Sequence, residues 1–355
     1  MDFTFSEDEL ALREAVSRFL MVEAAPEVLR EIWQEDTGRS PQLRRAIAEQ
    51  GVMALSIPEA YDGLGMGDVM WSLIAQELGY YAIPDSLIDT AYVAAYLIIQ
   101  LPDDVAQKAT WLQQIGTGEL RVSIAHVEQQ FVADAHLADV IFYFTADALH
   151  VLSSDAVSLV DNPSIDSSRR LFKMTPVTPL PDPILEGNAV SALYAQVSAR
   201  GAIANAGQQL GLAQRMLDLS IDYVNQRKQF GKLIGSFQAL KHKLADVVSA
   251  IEMTKPTLYR AAYALEHDAS RASLYVAQVV IQARDAAKLA AKHSIQAHGA
   301  MGYTWEVDLQ MFIKRSHALQ ASWGRTSVFE HRVLDALIAE PDLADPCMTF
   351  MGLSA

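Results

Sequence analysis

From about Ser191 to residue 339 the sequence runs in four long stretches, roughly 191–226, 236–266, 270–298 and 307–339, each rich in Ala, Leu and Gln. Such residues lose little side-chain entropy in a helix, and each stretch exceeds the length of an average globular helix. Four long helices with short connections bury their apolar faces against one another, so a bundle is expected here. The class expected for the whole chain is mainly α.

The N-terminal third reads the same way. Ser6 followed by Glu9 forms a capping box, and Leu12, Ala15, Val16, Phe19 and Leu20 make an i, i+3, i+4 stripe, which predicts a helix from about residue 7 to 22. Further helices are expected at about 41–51, 67–79, 85–101 and 103–117, with Pro58, Gly63, Gly65 and Gly67 punctuating the loop after Val52–Ile57. Between them and the bundle, Val140–Tyr143, Leu149–Leu152 and Ala156–Val160 are short β-prone runs separated by polar turns, the pattern of a small antiparallel meander. Prolines at 176, 179, 181 and 183 exclude a helix interior there and mark the way out. The organisation expected is a helical domain (1–118), a short middle β domain (119–190), a four-helix bundle (191–340) and a tail (341–355).

A formal net charge of −15 removes the broad basic footprint that nucleic acid requires, though it leaves room for a local basic patch on a phosphorylated cofactor. The single cysteine, Cys347, excludes an intrachain disulfide and a cysteine-cluster metal site, and no metal is expected. The acidic start Met1–Leu10 is unlike a secretory signal, and no apolar run reaches the roughly 18 residues of a membrane span. No membrane association is expected, and the cytoplasm is the expected compartment.

Two segments, each between long helices, hold more than helix packing demands. In Arg227-Lys228-Gln229-Phe230-Gly231-Lys232-Leu233-Ile234, leading to Phe237-Gln238, positive charge gathers beside an aromatic face, and Gly231 can break the preceding helix. Arginine binds phosphate bidentately and an aromatic ring stacks on a purine. In Gln296-Ala297-His298-Gly299-Ala300-Met301-Gly302-Tyr303-Thr304, Gly299 and Gly302 permit close backbone approach at a helix end, as pyrophosphate sites require. Together they suit an adenine dinucleotide; singly, each is also what an ordinary helix-to-helix turn would contain.

Arg-x-x-Phe-Gly with Phe-Gln after it, then Gln-x-x-Gly-x-x-Gly-Tyr, resembles the paired signature of acyl-CoA dehydrogenases. Ile57-Pro58-Glu59-Ala60-Tyr61-Asp62-Gly63-Leu64-Gly65 and Glu77-Leu78-Gly79 are similar to that family's Pro-Glu-x-x-Gly-Gly-x-Gly and Glu-x-Gly stretches. The resemblance spans nearly the whole chain. It implies an N-terminal helical domain, a short β domain and a C-terminal four-helix bundle, FAD as cofactor, and oxidation of an acyl-CoA to the 2,3-enoyl-CoA. It also implies that Arg227 meets the FAD pyrophosphate, Phe230 the adenine and Gln238 the far side of the same cofactor, with Gln296 and Gly299 lining the dinucleotide. Ala300 stands where the family commonly has a second glycine.

The catalytic positions depart from the pattern. Counting on from Gly302 places Trp323-Gly324-Arg325 where the family has Glu-Gly-Thr, and tryptophan cannot abstract a proton. The alternative base position, on the helix before Arg227, falls on Gly201 beside Arg200. Glu306 and Glu330 lie nearby and read as surface or capping residues. The flavin-ring neighbourhood, Ser123–Glu128 and Val140–Phe144, lacks the family's Thr-Glu-Pro and Trp-Ile-Ser/Thr stretches. The expectation is a partner subunit, resembling the heteromeric acyl-CoA dehydrogenases of bacterial sterol side-chain breakdown, with a paralogous chain carrying the catalytic glutamate in a homo- or heterotetramer. Two alternatives stand beside it: a homo-oligomer with an atypical base, and a non-catalytic binding or scaffold protein.

Overall fold

The computed structural model describes residues 4–345; Cys347 and the end of the tail lie outside the described residues. In chain order the first helices are α1 (Glu7–Glu23), α2 (Pro26–Gln34), α3 (Pro41–Glu49), α4 (Asp68–Tyr80), α5 (Ala95–Ile99) and α6 (Lys108–Gly116). Strands β1 (Val122–His126), β2 (Val132–Ala133), β3 (Val140–Phe144), β4 (Ala148–Leu152), β5 (Val157–Asn162), β6 (Leu171–Pro176) and β7 (Leu185–Glu186) follow. Then come α7 (Asn188–Gln226), a hairpin of β8 (Lys228–Gln229) and β9 (Lys232–Leu233), α8 (Gln238–Glu266), α9 (Ala272–His298), α10 (Leu309–Leu319) and α11 (Thr326–Ala339).

The chain divides into two compact units. One gathers α1, α4 and everything from Ala202 onward. Its first helix starts at the capping box: the Ser6 N–H donates to Glu9 at 2.8 Å and the Glu9 N–H to Ser6 Oγ at 3.2 Å. Within this unit α4 and α7 touch backbone to backbone. A Cβ on Gly79 would sit 2.2 Å from the Gln208 carbonyl oxygen, and one on Gly211 would sit 1.9 Å from the Gln76 carbonyl oxygen. Only glycine fits at such a contact, which gives Gly79 of the Glu-Leu-Gly stretch its physical reason. Beside it, the Tyr80 hydroxyl donates to Asp218 at 2.9 Å.

The other unit holds residues Glu23–Gly67 and Pro84–Gly201. Its strands form two sheets rather than the single antiparallel meander expected. One runs β1-β3-β4-β7 with β1 and β3 parallel, and the other runs β2-β6-β5. The parallel pair follows from β3, whose five residues Val-Ile-Phe-Tyr-Phe are all buried: a continuous apolar run suits a central strand covered on both faces. Residues 85–101, expected as one helix, instead hold a π-helical stretch, Asp89–Ala94, followed by α5. Thr90 explains the tie to the sheet, its hydroxyl donating to Val122 O and accepting from Val122 N.

Buried charge organises this unit. Arg39 and Asp134 are 3% and 3% exposed and paired through both guanidinium edges, with Nε to Oδ2 at 3.0 Å. Asp85 bridges Arg44 at 2.6 Å and Arg121 at 2.9 Å. Burial alone would raise the Asp134 carboxyl, but the Arg39 charge and hydrogen bonds outweigh it and hold it below the ordinary range.

Removing one partner of such a pair strands the other, so Asp134→Asn is expected to destabilise the protein by about 3–5 kcal/mol at pH 7. Because the folded carboxyl titrates below its unfolded value of about 3.9, its contribution is complete above that pH and is lost as pH falls through the folded value. Denaturant melts at pH 7 and pH 3 check this: the wild type loses stability in acid, and the gap to the variant narrows.

Candidate functional site

The long helix α7 ends at Gln226, and the chain turns at once into the β8–β9 hairpin, whose register pairs Gln229 with Lys232. The two turn residues, Phe230 and Gly231, both have positive φ, 54° and 77°. A two-residue hairpin of this hand demands that backbone, usually met by Asn-Gly. Phenylalanine there costs roughly 1–2 kcal/mol, and its ring is 89% exposed. Gly231 thus shapes a turn rather than breaking the helix. Phe237 meets the Phe230 ring edge-on at 6.1 Å, and Lys232 Nζ lies 4.3 Å from the Phe237 ring.

Arg227 is fixed at its backbone and free at its head. Its N–H donates to Tyr223 O and its carbonyl accepts from the Ile234 N–H, both at 2.9 Å, while its exposed guanidinium makes no hydrogen bond among the described residues. Gln238 opens α8 and is exposed.

The second segment lies at the same end. α8 and α9 are packed neighbours of 29 and 27 residues joined by a short link, so the start of α8 lies beside the end of α9. The His298 ring, at the last residue of α9, stacks on Tyr223 near the end of α7 with centroids 4.3 Å apart. That contact brings Arg227 and the α9 end together. Burial lowers the His298 pKa, against the opposing effect of the Ser294 carbonyl on Nδ1, so the ring is neutral at pH 7 and can stack without desolvating a charge. Gln296 is exposed on the last turn. Gly299 has φ 60° and ψ −135°, a conformation essentially reserved for glycine, and a Cβ on it would meet nothing within 4 Å. Gly302 differs: its Cβ would sit 3.0 Å from Ile295 O, so this glycine serves helix packing rather than ligand approach.

An open glycine backbone, basic heads on Arg227 and Lys228 that are unpaired among the described residues, and an exposed ring thus share one end of one unit. They fit the phosphates and purine of an adenine dinucleotide. Sequence reasoning did not find Tyr223 and His298; an aromatic and a histidine at helix ends are ordinary until the fold pairs them.

Residues 307–339, expected as one helix, are α10 and α11 with a corner at 320–325. Trp323 and Gly324 both have positive φ, 59° and 122°, which no helix tolerates. A fully buried arginine from α9, Arg284, holds this corner, donating to Ser322 O and Gly324 O at 3.0 Å and to Thr326 Oγ1 at 3.1 Å. Burial lowers its pKa to about 10. The signal was in the sequence: Arg284 falls one turn after Val280 and just before Ala287 on the apolar stripe of α9, where a charge must have a purpose. Glu306 and Glu330 are both exposed.

The other expected base position lies in the second unit. Gly201 is buried on α7, and the neighbouring Arg200, 5% exposed, covers the Tyr96 ring at 3.5 Å. At the end of β1, His126 stacks on Tyr194 at 4.2 Å, and Phe144 packs on the same tyrosine at 5.0 Å.

Among the described residues no helix is long and apolar enough to cross a membrane, and no group of three potential ligands could hold a metal ion. Residues 6–119 match the family model "Acyl-CoA dehydrogenase, N-terminal domain" and residues 195–337 match "Acyl-CoA dehydrogenase, C-terminal domain". The chain is 31% identical over 317 residues to acyl-CoA dehydrogenase IpdE2 of Mycolicibacterium smegmatis, across 88% of this chain and 93% of that one. In fold it is similar to the ChsE4-ChsE5 complex from Mycobacterium tuberculosis, with TM-score 0.85, 19% identity, and coverage of 96% of this chain and 99% of that one. It is also similar to a variant of the Tcur3481-Tcur3483 steroid ACAD, with TM-score 0.82, 20% identity, and coverage of 95% and 99%.

Replacing Phe230 by glycine removes a bulky residue from left-handed backbone, so Phe230→Gly is expected to raise stability by about 1 kcal/mol. Urea midpoints of variant and wild type check this; a loss of stability would mean the ring packs more than its exposure shows.

Proposed function

This chain belongs to the acyl-CoA dehydrogenase family, and on that premise we propose that it is the partner subunit of a heteromeric enzyme, completing the FAD site while a paralogous chain supplies the catalytic glutamate. The family makes it an oxidoreductase acting on acyl-CoA with FAD as cofactor. The bound flavin supplies the hydride acceptor. The chain's own contribution is binding: the Arg227 guanidinium on the pyrophosphate, the Phe230 ring on the adenine, Gln238 on the far side, and Gln296 with the open Gly299 backbone along the dinucleotide.

One observation carries the partner reading: the base position is occupied by Trp323, on a corner that is held rather than frayed. Tryptophan offers an N–H donor and no proton acceptor, and the alternative position is Gly201. At the end of β1, where the family has its ring-binding stretch, His126 and Phe144 pack on Tyr194 instead. A partner surface is also at hand. α11 exposes Val328, Leu334, Leu337 and Ile338 and buries only Phe329, an apolar stripe that a second chain would cover. The ChsE4-ChsE5 complex, by its name an assembly of two chains, supports the same arrangement. The likeness in fold to the steroid ACAD supports a steroid-type acyl-CoA as the substrate class.

The experiment is co-expression with a paralogue that retains the glutamate, followed by flavin absorption and acyl-CoA bleaching. In that complex Arg227→Ala is expected to weaken FAD by about 1.5–3 kcal/mol, the worth of a charge-assisted phosphate contact; unchanged flavin affinity would place the dinucleotide elsewhere.

Trp323→Glu in this chain alone is expected to give no dehydrogenase activity, because a carboxylate is useful only with a flavin within hydride reach of the bound substrate. Dye-coupled oxidation of several acyl-CoAs with FAD added reads the outcome. Turnover by the variant alone would overturn the partner reading, and turnover by the unmodified chain alone would reveal a base among other residues.

A further inference from the structure

Of the phenylalanine, tyrosine and tryptophan side chains among the described residues, three are exposed, Phe230, Tyr303 and Trp305, and all three lie on turns at one end of the first unit. Phe230 is on the hairpin that joins α7 to α8, while Tyr303 and Trp305 are on the loop that joins α9 to α10. Tyr303 is 79% and Trp305 68% exposed. The apolar stripe of α11 presents no such ring, since its one aromatic, Phe329, is buried.

The loop presents these rings in a set position. The Thr304 N–H and hydroxyl both donate to Met301 O, at 3.1 and 3.0 Å, and close the turn that carries Tyr303. Trp305 is pinned from α10: Lys314 Nζ lies 3.6 Å from the centre of its ring, a cation–π contact. An indole ordered in advance loses little entropy when a second surface covers it. Two features of this end exceed what a dinucleotide uses. A purine stacks on one ring, which the binding scheme above gives to Phe230, so Tyr303 and Trp305 are left over. Charge is in excess as well: from Arg227 to Lys243 the chain carries five Lys and Arg residues, at 227, 228, 232, 241 and 243, and no Asp or Glu, within a sequence of net charge −15. A single pyrophosphate engages only part of that charge. Exposed tyrosine and tryptophan beside charge of one sign is the composition of a protein interface, where aromatic anchors carry the affinity and charge steers the approach.

We propose that this aromatic end of the bundle is the docking surface for the paralogous chain, with Tyr303 and Trp305 as its anchors and the basic residues of the hairpin and the start of α8 as its charged rim. The face that fits it is acidic opposite the hairpin and offers apolar pockets to the two rings. The proposal rests on the shared-cofactor reading above: two chains that complete one FAD site have to meet at the end that holds the dinucleotide. Lys241, exposed on the first turn of α8 and outside the binding scheme, belongs to the rim.

The test dilutes the co-expressed complex of this chain with a paralogue that retains the glutamate, and reads the dissociation constant between the two chains by mass photometry. Trp305→Ala and Tyr303→Ala are each expected to raise that Kd by about tenfold or more, with circular dichroism and melting unchanged because both side chains are exposed. Trp305→Phe, which keeps a ring, is expected to recover most of the loss. In Lys241→Glu the Kd is expected to rise and its dependence on salt to become shallower. At concentrations where the Trp305→Ala complex stays assembled, its flavin content is expected to match the wild type. Normal association with lost flavin in both aromatic variants would mean that the rings serve the cofactor, and overturns the proposal. Loss of association in Leu334→Ala, with both aromatic variants like the wild type, would place the paralogue on the α11 stripe and overturns it too. So does a chain that dimerises by itself and is made monomeric by Trp305→Ala, since the occupant is then a second copy. A wild-type chain that binds no paralogue defeats the proposed function, whereas a wild-type complex indifferent to both aromatic substitutions defeats the docking surface alone.

Discussion

The glycine contact between α4 and α7 is the constraint from which much of the first unit follows. Gly79 and Gly211 let two helices meet backbone to backbone, where a single Cβ would overlap, and Gly207 leaves room for the Ala75 methyl between them. Backbone contact at this range leaves little freedom to slide or rotate, so the direction and phase of α7 are set. The phase then decides what α7 presents: Asn205 and Gln209 towards the carbonyls of α10, Tyr223 towards His298, and Arg227 at the point where the helix gives way to the hairpin.

Two ways of burying arginine coexist in this chain, and they differ in what they achieve. Arg39 meets Asp134 with both edges of its fork, and Asp85 lies between Arg44 and Arg121, so each of these guanidiniums has a carboxylate beside it within the second unit. A paired network of this kind offsets its own desolvation and ties the β strands to the helical segments before them. Arg284 has no carboxylate partner; neutral acceptors and the Phe329 ring, whose centre lies 5.3 Å from its guanidinium carbon, surround it, and burial lowers its pKa to about 10. One arrangement holds a domain together; the other holds a six-residue corner.

How much of this was legible in the sequence follows from the range of the forces involved. Capping and periodicity are local, and they located α1, α4, α7, α8 and α9 to within a few residues. The Ser6–Glu9 box is met in both of its hydrogen bonds. The break at 320–325 was missed because its cause is distant in sequence: an arginine some forty positions earlier takes the carbonyls that a continuous helix would have used. The parallel pairing of β1 with β3 was missed for a related reason, since β propensity says nothing of which strand lies beside which. The residues of the candidate site were legible through motif and spacing, but their convergence was not. It depends on a ring stack between Tyr223 and His298, two residues that carry no signal alone.

Strain marks the candidate site as well as the motifs do. Three residues adopt a backbone their type resists or that only glycine tolerates: Phe230 at the hairpin tip, Trp323 at the corner and Gly299 at the end of α9. Bulky left-handed residues persist only where the surroundings over-determine them, and they gather where a structure does its work. At Phe230 the side chain is 89% exposed, and its edge-on contact with Phe237 at 6.1 Å offsets only part of the conformation. At Trp323 the surroundings bear the cost instead, through a buried cation and a glycine whose φ of 122° side chains rarely adopt. Held by Arg284 on both sides of Trp323, that corner is fixed rather than frayed. That separates two parts of the unit: one end of the bundle leaves basic heads, an aromatic ring and a glycine backbone open, while the corner at 320–325 is closed by hydrogen bonds within the chain.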